Sequence, residues 1–366
     1  MSVRINILTN NEHPNSRAFN CPLLATRDIF LKRGYELHFR FSSPASCLEG
    51  ADILFVNSNV FRNALAKNRQ QVFSFLEKAA RSHLRIYWFD STESSSCNHF
   101  DVLPYVDCLL KGQMLADRSQ YLKGFKTGSP FTDYFDQLYK CSLPEAQPPL
   151  PQAEHMHKLA LSWNSCFEDY NESRFKFGSR LRQRLRRYTA HTAMKVNIKI
   201  DFAEISAERP VNISCRLHGS QPGNAALAAH RKALVHLLKK LGADTAIIAP
   251  SDYFDELRRS KIAIGPFGAG EITFRDYEAI ICGATLVKPD MSHIETWPEL
   301  FQVDRSFIAH KWDLSDLEEK LTYLLERSAM RSRIAWEAQE IYHRAISPQG
   351  LETFAGRLAC AIESRS

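Results

Sequence analysis

The sequence predicts an α/β protein with two doubly wound domains that face a cleft. Three observations support this fold class. Short apolar strands alternate with helical segments in the first half, a proline-rich stretch follows, and a strand–glycine turn–helix–strand unit lies in the second half. Two parallel strands need a long connection between them, and a helix provides one. Strands that alternate with helices therefore predict a parallel sheet. A chain of 366 residues is long enough to build two cores.

The first half supplies the predicted elements of one domain. Residues with strand patterns are 3–8, 36–41, 53–56, 85–89 and 106–110, and residues with helical patterns are 23–33 and 70–81. A helix is also expected after residue 110, where Lys111, Gln113 and Asp117 could line the cleft or form a solvated face.

A second domain is expected after the proline-rich stretch 142–151, which reads SLPEAQPPLP and cannot form a regular helix or a central strand. The predicted domains are therefore residues 1–150 and 151–350, followed by a C-terminal helix at 351–366. Residues with strand patterns in this half are 212–215 and 245–248, and those with helical patterns are 225–241, 314–327 after a capping Asp313, and a helix started by Ser347 and Pro348.

The strand–turn–helix–strand unit spans residues 260–289 and contains Gly268 and Gly270 in its turn. Glycines let a bulky ligand approach the backbone, and the N-terminus of the following helix attracts phosphate. Arg275 can donate two hydrogen bonds to a diphosphate, and Glu278 on the same helix face can accept from ribose hydroxyls. The structural alternative is a surface ion pair between Arg275 and Glu278.

This unit resembles the nucleotide-sugar half of GT-B glycosyltransferases of the group-1-like and exostosin-like families. The matching residues are Ser260, Pro266, Gly268, Gly270, Arg275, Glu278, Ala279, Gly283 and Pro289. The resemblance implies two Rossmann-like domains, a nucleotide-sugar donor, and a last helix that crosses back to the first domain. One departure is that group-1 members have two glutamates eight positions apart, whereas position 270 is glycine and Glu271 comes one place late.

Arg216 directly follows a predicted strand and would point toward the same crevice as the glycine turn. A second arginine beside a leaving diphosphate can stabilise the charge that develops when the bond breaks. The sequence has no D-x-D motif, so we expect no metal and no cofactor. The alternative role for Arg216 is a salt bridge.

The general base is predicted on the first domain, where Asp90 ends a buried strand that faces the cleft. Partial burial would raise the pKa of this carboxyl toward a useful value. Asp90 could instead cap the next helix. The rival candidates for the base are Glu12, His13 and Glu93.

A basic segment at residues 174–187 has seven Arg or Lys residues and no acidic one. On a helix, Arg180, Arg184 and Arg187 share one face, a pattern typical of segments that bind anionic lipid or an acidic acceptor. A nucleic-acid patch and a plain solvated face are the alternatives. The net charge is only +6 and no nucleic-acid motif accompanies the segment, so we expect no nucleic-acid partner.

The remaining features favour a cytoplasmic protein. No apolar run reaches the roughly 20 residues that span a bilayer, and the N-terminus lacks the pattern of a signal peptide. Nine cysteines without a C-x-x-C pair argue against a disulfide framework or a zinc site, and His155 and His157 lack partners at metal-binding spacing.

The sequence therefore predicts a metal-independent glycosyltransferase, cytoplasmic and peripheral on the inner membrane face if the basic segment binds lipid. The family resemblance further implies a bacterial protein that moves a sugar from a nucleotide sugar to a surface polysaccharide or glycolipid. The alternative is a non-catalytic α/β module that binds nucleotide or nucleic acid through residues 174–187. A nicotinamide enzyme is disfavoured, because no glycine fingerprint follows the first strand.

Overall fold

The computed structural model describes residues 2–41, 44–96, 99–168, 170, 196, 198–205, 208–217 and 223–364. Within them the strands are β1 Val3–Leu8, β2 Tyr35–Arg40, β3 Ile53–Asn57, β4 Arg85–Asp90, β5 Cys108–Lys111, β6 Gln113–Leu115, β7 Leu159–Leu161, β8 Val211–Ser214, β9 Ser260–Ile264, β10 Thr285–Pro289, β11 Ile294–Thr296 and β12 Ile308–His310. The α-helices are α1 Pro14–Ala25, α2 Arg27–Lys32, α3 Arg62–Lys67, α4 Arg69–Arg81, α5 Gln120–Lys123, α6 Pro130–Tyr139, α7 Ala225–Lys240, α8 Pro250–Arg259, α9 Phe274–Ile281, α10 Leu317–Glu326, α11 Ser328–Ile346 and α12 Pro348–Glu363.

Two parallel sheets form the cores of the two domains. The first has the order β2-β1-β3-β4-β5-β7 and the second the order β12-β10-β9-β8, and every pairing in both is parallel. The central strands β3 and β4 are almost wholly buried, as expected for strands covered by helices on both faces. The predicted α/β fold class with two doubly wound domains is confirmed.

The chain crosses between the domains more than once. Helix α6 packs on α7 of the second domain, where the ring of Phe135 stacks on His230 at a centroid distance of 3.9 Å. The chain then returns, because β7 pairs with β5 through Leu109 and Leu159. The sheet of the first domain therefore extends past residue 150, where the sequence places the boundary.

The last helix, α12, lies against the first domain. The ring of Phe354 packs edge-on against Phe30, and the hydroxyl of Tyr35 donates to the carboxylate of Glu363 at 3.0 Å. Ser347 caps this helix by accepting from the amide of Gly350, as the sequence indicated. The N-terminal and C-terminal ends of the described chain thus belong to one packed unit.

A small antiparallel sheet also joins the domains. Strand β6 of the first domain pairs with β11 of the second, with Gln113 opposite Thr296. The prediction of a helix after residue 110 is therefore wrong, because Lys111 ends a strand and Gln113 begins another. The antiparallel partner lies about 180 residues further along the chain, so local periodicity could not reveal it.

Three other predicted elements differ from the structure. Residues 245–248 form no strand. Among the described residues, one backbone hydrogen bond joins them to the segment after β8, from the Leu217 amide to the Thr245 carbonyl at 3.4 Å, and a single bond makes no ladder. The helix predicted over 23–33 is part of two helices that meet at Thr26. Helix α10 begins at Leu317 and not at Leu314, whose left-handed φ of 66° interrupts a helix.

Candidate functional site

The turn between β9 and α9 is shaped by buried charges. Asp276 and Thr273 form a capping box at the start of α9, and Lys288 donates to the Asp276 carboxylate at 2.9 Å. Both members of this ion pair are fully buried. A Cβ at position 265 would overlap Oδ1 of Asp276, so only glycine fits there. The local sequence folds as predicted because a buried lysine and aspartate hold the turn against the strand.

The glycine turn contacts the first domain. A Cβ on Gly270 would overlap the backbone carbonyl of Glu93, which lies in the segment after β4. The amide of Gly268 donates to the carbonyl of Gly270 at 2.9 Å and closes the turn on itself. Gly270 is therefore required by a close approach between the two domains, a packing role that the sequence could not indicate.

Glu271, which follows Gly270, is fully buried at the same contact. Its carboxylate accepts from the Ser95 amide at 2.9 Å, and Nε2 of His293 lies 3.4 Å from it. Burial alone raises the pKa of Glu271, but His293 and Ser95 together bring that pKa below its ordinary value. A glutamate that is one place late for the group-1 pattern thus acts as a link between the domains.

Arg275 and Glu278 lie on α9, as predicted, but they differ in exposure. Arg275 is exposed and forms no hydrogen bond or ion pair with any other described residue. Glu278 is buried beside Tyr253, whose pKa is raised first by burial and then by the Glu278 charge. The surface ion pair between Arg275 and Glu278 is not formed, so no described residue engages the guanidinium of Arg275.

Arg216 lies beyond β8 and is held by acidic groups. Its Nε donates to both carboxylate oxygens of Glu256 at 3.0 Å, and its Nη1 donates to Asp244 at 2.5 Å. Hydrogen bonding to Glu256 is the main cause of the raised pKa of Arg216. The structure therefore contains the salt bridge that the sequence left as an alternative.

Arg231 on α7 is a further arginine near Arg275, and no sequence pattern predicted it. Burial lowers the pKa of Arg231, and the positive charge of nearby Arg275 lowers it further. The same two charges act on the thiol of Cys215 at the end of β8, whose pKa burial raises to about 12. The charges of Arg231 and Arg275 therefore act on each other and on this thiol. An isolated arginine in a helix gives no sequence signal for such a role.

Asp90 ends β4, and its carboxylate has no exposed surface. Nζ of Lys111 donates to it at 3.0 Å, and Nδ1 of His99 lies 3.4 Å away. The amide of Thr92 also donates to this carboxylate, at 2.9 Å. These contacts favour a structural role, because a carboxylate paired with a buried lysine is poorly placed to accept a substrate proton. Lys111 was missed as its partner because the sequence placed that residue on a helix.

The rival base candidates are more accessible. His13 caps α1 with its Nδ1, which accepts from the Asn15 amide at 3.2 Å. Burial, followed by the charge of Arg62, lowers the pKa of His13 and favours a neutral imidazole. Glu93 is exposed, and its carboxylate accepts a hydrogen bond from the side-chain Nδ2 of Asn15 at 3.4 Å. Glu12 is exposed at the same end of the sheet.

A cavity of about 140 Å³ opens in the cleft between the domains. Its walls come from the carboxyl ends of β4 and β5, from α1, from the segment after β7 and from the start of α9. The described lining residues are Asn15, Ala18, Phe19, Phe89, Asp90, Ser91, Thr92, Glu93, Leu110, Gly112, Gln113, Ser162, Trp163, Asn164, Ser165, Ile272, Thr273, Phe274 and Tyr277. This position agrees with the rule that ligands of open parallel sheets bind beyond the strand ends.

Some predicted features lie outside the described residues, namely the basic segment 174–187 with Arg180, Arg184 and Arg187. In the part of the chain that the structure describes, no three His, Cys, Asp or Glu side chains are grouped as metal ligands. No helix in that part is long and apolar enough to cross a membrane.

Comparison with known proteins identifies a family that matches the second domain. Residues 202–350 match a family described as glycosyl transferase-like. No curated protein sequence matches the chain. Similar solved structures include Anabaena Alr3699/HepE in complex with UDP-glucose, with 11% identity and a TM-score of 0.44 over 98% of this chain and 100% of that one.

Two further structures are similar over the whole of both chains. One is a glycosyltransferase from Rickettsia africae, with 10% identity and a TM-score of 0.48. The other is sucrose-phosphate synthase from Thermosynechococcus elongatus, with 10% identity and a TM-score of 0.45. The family match contains the glycine turn, Arg275 and Glu278. Residues 202–350 are therefore a glycosyl transferase-like domain, and the prediction of a group-1-like glycosyltransferase is confirmed.

Proposed function

We propose that this glycosyltransferase moves a sugar from a nucleotide-sugar donor to a glycan or glycolipid acceptor without a metal ion. The observation that carries the proposal is the arrangement on α9. An exposed Arg275 without a described partner lies at the N-terminus of the helix, and Glu278 follows on the same face. A helix N-terminus and a guanidinium both favour an anion, and a nearby carboxylate suits sugar hydroxyls.

The donor diphosphate would lie between Arg275 and Arg231. Their positive charges repel each other, and after burial this repulsion is the next cause of the lowered pKa of Arg231. A bound diphosphate would relieve this repulsion, and it would gain further stabilisation as the leaving group becomes more negative. Arg216 would act less directly, because Glu256 and Asp244 already engage its guanidinium. It would hold the edge of the site in place.

The acceptor base would be His13 rather than Asp90, and its Nδ1 would take the proton once the acceptor hydroxyl displaces the Asn15 amide from that nitrogen. A neutral imidazole can take the proton of an acceptor hydroxyl at neutral pH, and the lowered pKa of His13 keeps the ring neutral there. The exposed carboxylate of Glu93, whose charge acts on His13, could then stabilise the imidazolium that forms. Asp90 would support the site through Lys111 and Thr92.

Nucleotide binding is the first test of this function. Thermal unfolding of the full chain should be recorded with nucleoside diphosphates of each base, because a ligand at 100 times its Kd stabilises a protein by about 2.7 kcal/mol. Glu278→Ala should weaken the binding of the preferred nucleotide by roughly 1.5–3 kcal/mol. Glu340→Ala is the matched control, since Glu340 is an exposed glutamate of α11. No stabilisation by any diphosphate would refute the proposed donor class.

Metal independence is tested by chelation. The guanidinium groups of Arg275 and Arg231 would supply the positive charge that a divalent cation supplies in metal-dependent enzymes. Turnover should therefore persist in excess chelator. Loss of turnover with chelator, followed by recovery with Mg²⁺ or Mn²⁺, would contradict this part of the proposal.

We also propose that the acceptor is a surface polysaccharide or glycolipid, as the family resemblance implies, and that it is reached at a membrane surface, which rests on the sequence of the basic segment 174–187. Each Lys or Arg near an anionic surface contributes on the order of 1 kcal/mol, which salt reduces. Phosphatidylserine vesicles should therefore bind the chain at low salt. Charge reversal at Arg180, Arg184 and Arg187 should abolish that binding. Equal binding by the reversed variant would remove the membrane proposal.

A further inference from the structure

We propose that Asn20 is a positioning residue for the reaction and sets the place of His13 at the edge of the first sheet. The inference rests on the proposed function, because His13 is the group proposed there as the acceptor base. Asn20 lies on α1, and His13 caps the start of the same helix. The side chain of Asn20 is only 2% exposed, so an effect on turnover would pass through the groups that it holds.

The side-chain amide of Asn20 joins α1 to the end of β1. Its Oδ1 accepts from the Thr9 hydroxyl at 2.8 Å. Its Nδ2 donates to the carbonyl of Asn10 at 3.0 Å and to Oδ1 of Asn11 at 2.9 Å. Three successive residues after β1 are therefore bonded to one side chain. Such a buried amide specifies a single arrangement, because any other leaves polar atoms without partners.

This arrangement also fixes His13 relative to the sheet. The carbonyl of His13 accepts from the amides of Ser16 and Arg17 at 3.1 and 3.2 Å, so the residue belongs to the first turn of α1. The helix is in turn bonded to the strand end through Asn20. A displacement of about 1 Å that starts far from the chemistry can lower turnover by about 10²-fold.

The same network reaches the segment after β4. Nδ2 of Asn57, at the end of β3, donates to the Thr9 hydroxyl at 3.3 Å, and Oδ1 of Asn57 accepts from the Ser91 hydroxyl at 3.0 Å. Nδ2 of Asn15 on α1 donates to the Ser91 carbonyl at 3.1 Å and to the Glu93 carboxylate at 3.4 Å. The network therefore begins and ends on α1, and it sets the start of that helix against Glu93, whose charge acts on the proposed base.

Asn6 provides a matched case of a buried asparagine with a structural role. It lies on β1 with no exposed surface, and its Nδ2 donates to the carbonyls of Cys47 at 2.8 Å and Glu49 at 3.2 Å. These acceptors lie between β2 and β3. Loss of either asparagine leaves buried polar groups without partners and should destabilise the protein. Only the loss of Asn20 should also change the environment of His13.

An NMR titration of the histidine ring signals in the full chain tests this difference without any substrate. The signal of His13 is the one that is lost in His13→Asn. Burial is the main cause of the lowered pKa of His13, followed by the charge of Arg62. The charge of Glu93 acts in the opposite direction, and that of Arg17 acts in the same direction as Arg62. A ring that leaves this environment should return toward its ordinary pKa of 6.5.

We expect the pKa of His13 to rise toward 6.5 in Asn20→Leu and to stay lowered in Asn6→Leu. Turnover is measured as release of nucleoside diphosphate from UDP-, GDP- and ADP-sugars with methyl glycosides as acceptors, at a temperature where the variants are folded. Asn20→Leu should lower kcat by about 10-fold or more and leave KM for the donor within about twofold, since the groups proposed to bind the donor lie on the second domain. Asn6→Leu should match the wild type in both constants.

Thr9 supplies a second pair of variants if Asn20→Leu does not fold. Thr9→Val keeps the shape of the side chain and removes the hydroxyl that joins Asn20 to Asn57, whereas Thr9→Ser keeps the hydroxyl. Thr9→Val should behave as Asn20→Leu, and Thr9→Ser as the wild type. The inference is overturned if neither Asn20→Leu nor Thr9→Val moves the pKa of His13, or if Asn6→Leu or Thr9→Ser moves it equally.

The two readouts separate this inference from the proposed function. Loss of turnover in His13→Asn but not in Asn20→Leu would overturn the role of Asn20 and leave His13 as the base. Full turnover in His13→Asn, with the pKa of the ring still raised by Asn20→Leu, would refute His13 as the base and leave Asn20 as the residue that positions it.

Discussion

Ser95 donates both its backbone amide and its hydroxyl to the carboxylate of Glu271, at 2.9 and 2.5 Å. Ser95 belongs to the first domain and Glu271 to the glycine turn of the second. The hydroxyl of Tyr121 donates to the carbonyl of Ser95 at 2.8 Å and fixes that segment from the other side. The two domains are therefore joined at the glycine turn by a buried carboxylate.

Replacing Glu271 with alanine should destabilise the protein. The change leaves the buried donors of Ser95 without their acceptor, and hydrogen bonds to charged groups contribute about 1.5–3 kcal/mol each. We expect the free energy of unfolding in urea to fall by at least about 1.5 kcal/mol.

Glu295→Ala is the matched control for this prediction. Glu295 also links the domains, through Arg118 at 2.7 Å, but its side chain is 51% exposed. Exposed ion pairs contribute about 0–1 kcal/mol, so the control should change little. Equal losses in the two variants would show that burial of Glu271 has no special importance.

Arg275→Ala and Arg216→Ala should separate catalysis from stability. Arg275 is exposed, so its loss should leave stability within about 0.5 kcal/mol while kcat falls by about 10²-fold or more. Arg216→Ala leaves Glu256 without its cation and should cost about 1.5–3 kcal/mol of stability. Steady-state kinetics and urea unfolding measure the two effects. A stable Arg216→Ala variant with reduced kcat would restore the direct role that the sequence predicts for this residue.

The roles of Asp90 and His13 can be separated in the same way. Asp90→Asn removes one partner of a buried ion pair, which should lower the free energy of unfolding by about 3–5 kcal/mol. His13→Asn keeps an acceptor for the helix cap and removes the imidazole, so turnover should fall by about 10²–10⁴-fold in a stable protein. A stable Asp90→Asn variant without turnover would return the base to Asp90.

The fold was predictable because local patterns encode it. Strands β1, β3 and β4 follow from apolar runs, and α4 and α9 follow from their helical spacing. The unit from β9 to β10 also follows, since Gly283 adopts a φ of 70° at the end of α9. These features depend on residues that are close together in the chain, so local sequence patterns predict them.

The contacts of the site were less predictable because they join distant residues. Glu271 and Ser95 are separated by 176 positions, and Asp90 and Lys111 lie on neighbouring strands. Periodicity carries no information about such pairs. The sequence predicted that Arg275 and Glu278 lie on a helix after the glycine turn, as they do, but no local pattern indicated that this turn packs against the segment after β4.

Two buried histidines should make the protein sensitive to acid. Burial, with help from the charges of His310 and Arg231, lowers the pKa of His230 from 6.5 to about 3. Burial likewise lowers the pKa of His310 to about 4. The unfolded chain takes up protons below about pH 6.5 while the folded chain keeps both rings neutral, so stability is full above that pH. It is lost progressively as the pH falls toward 4 and 3.

His230→Phe should reduce this loss, because the new ring can still stack on Phe135 and cannot take up a proton. Each neutral histidine contributes up to about 1.4 kcal/mol per pH unit to the slope of stability between pH 6 and 4. Urea unfolding at several pH values should show a shallower slope for His230→Phe than for the wild type. His83→Asn is the control, since His83 is exposed and asparagine tolerates its left-handed φ of 58°. If both variants follow the wild-type slope, proton uptake by the buried His230 does not cause the acid sensitivity.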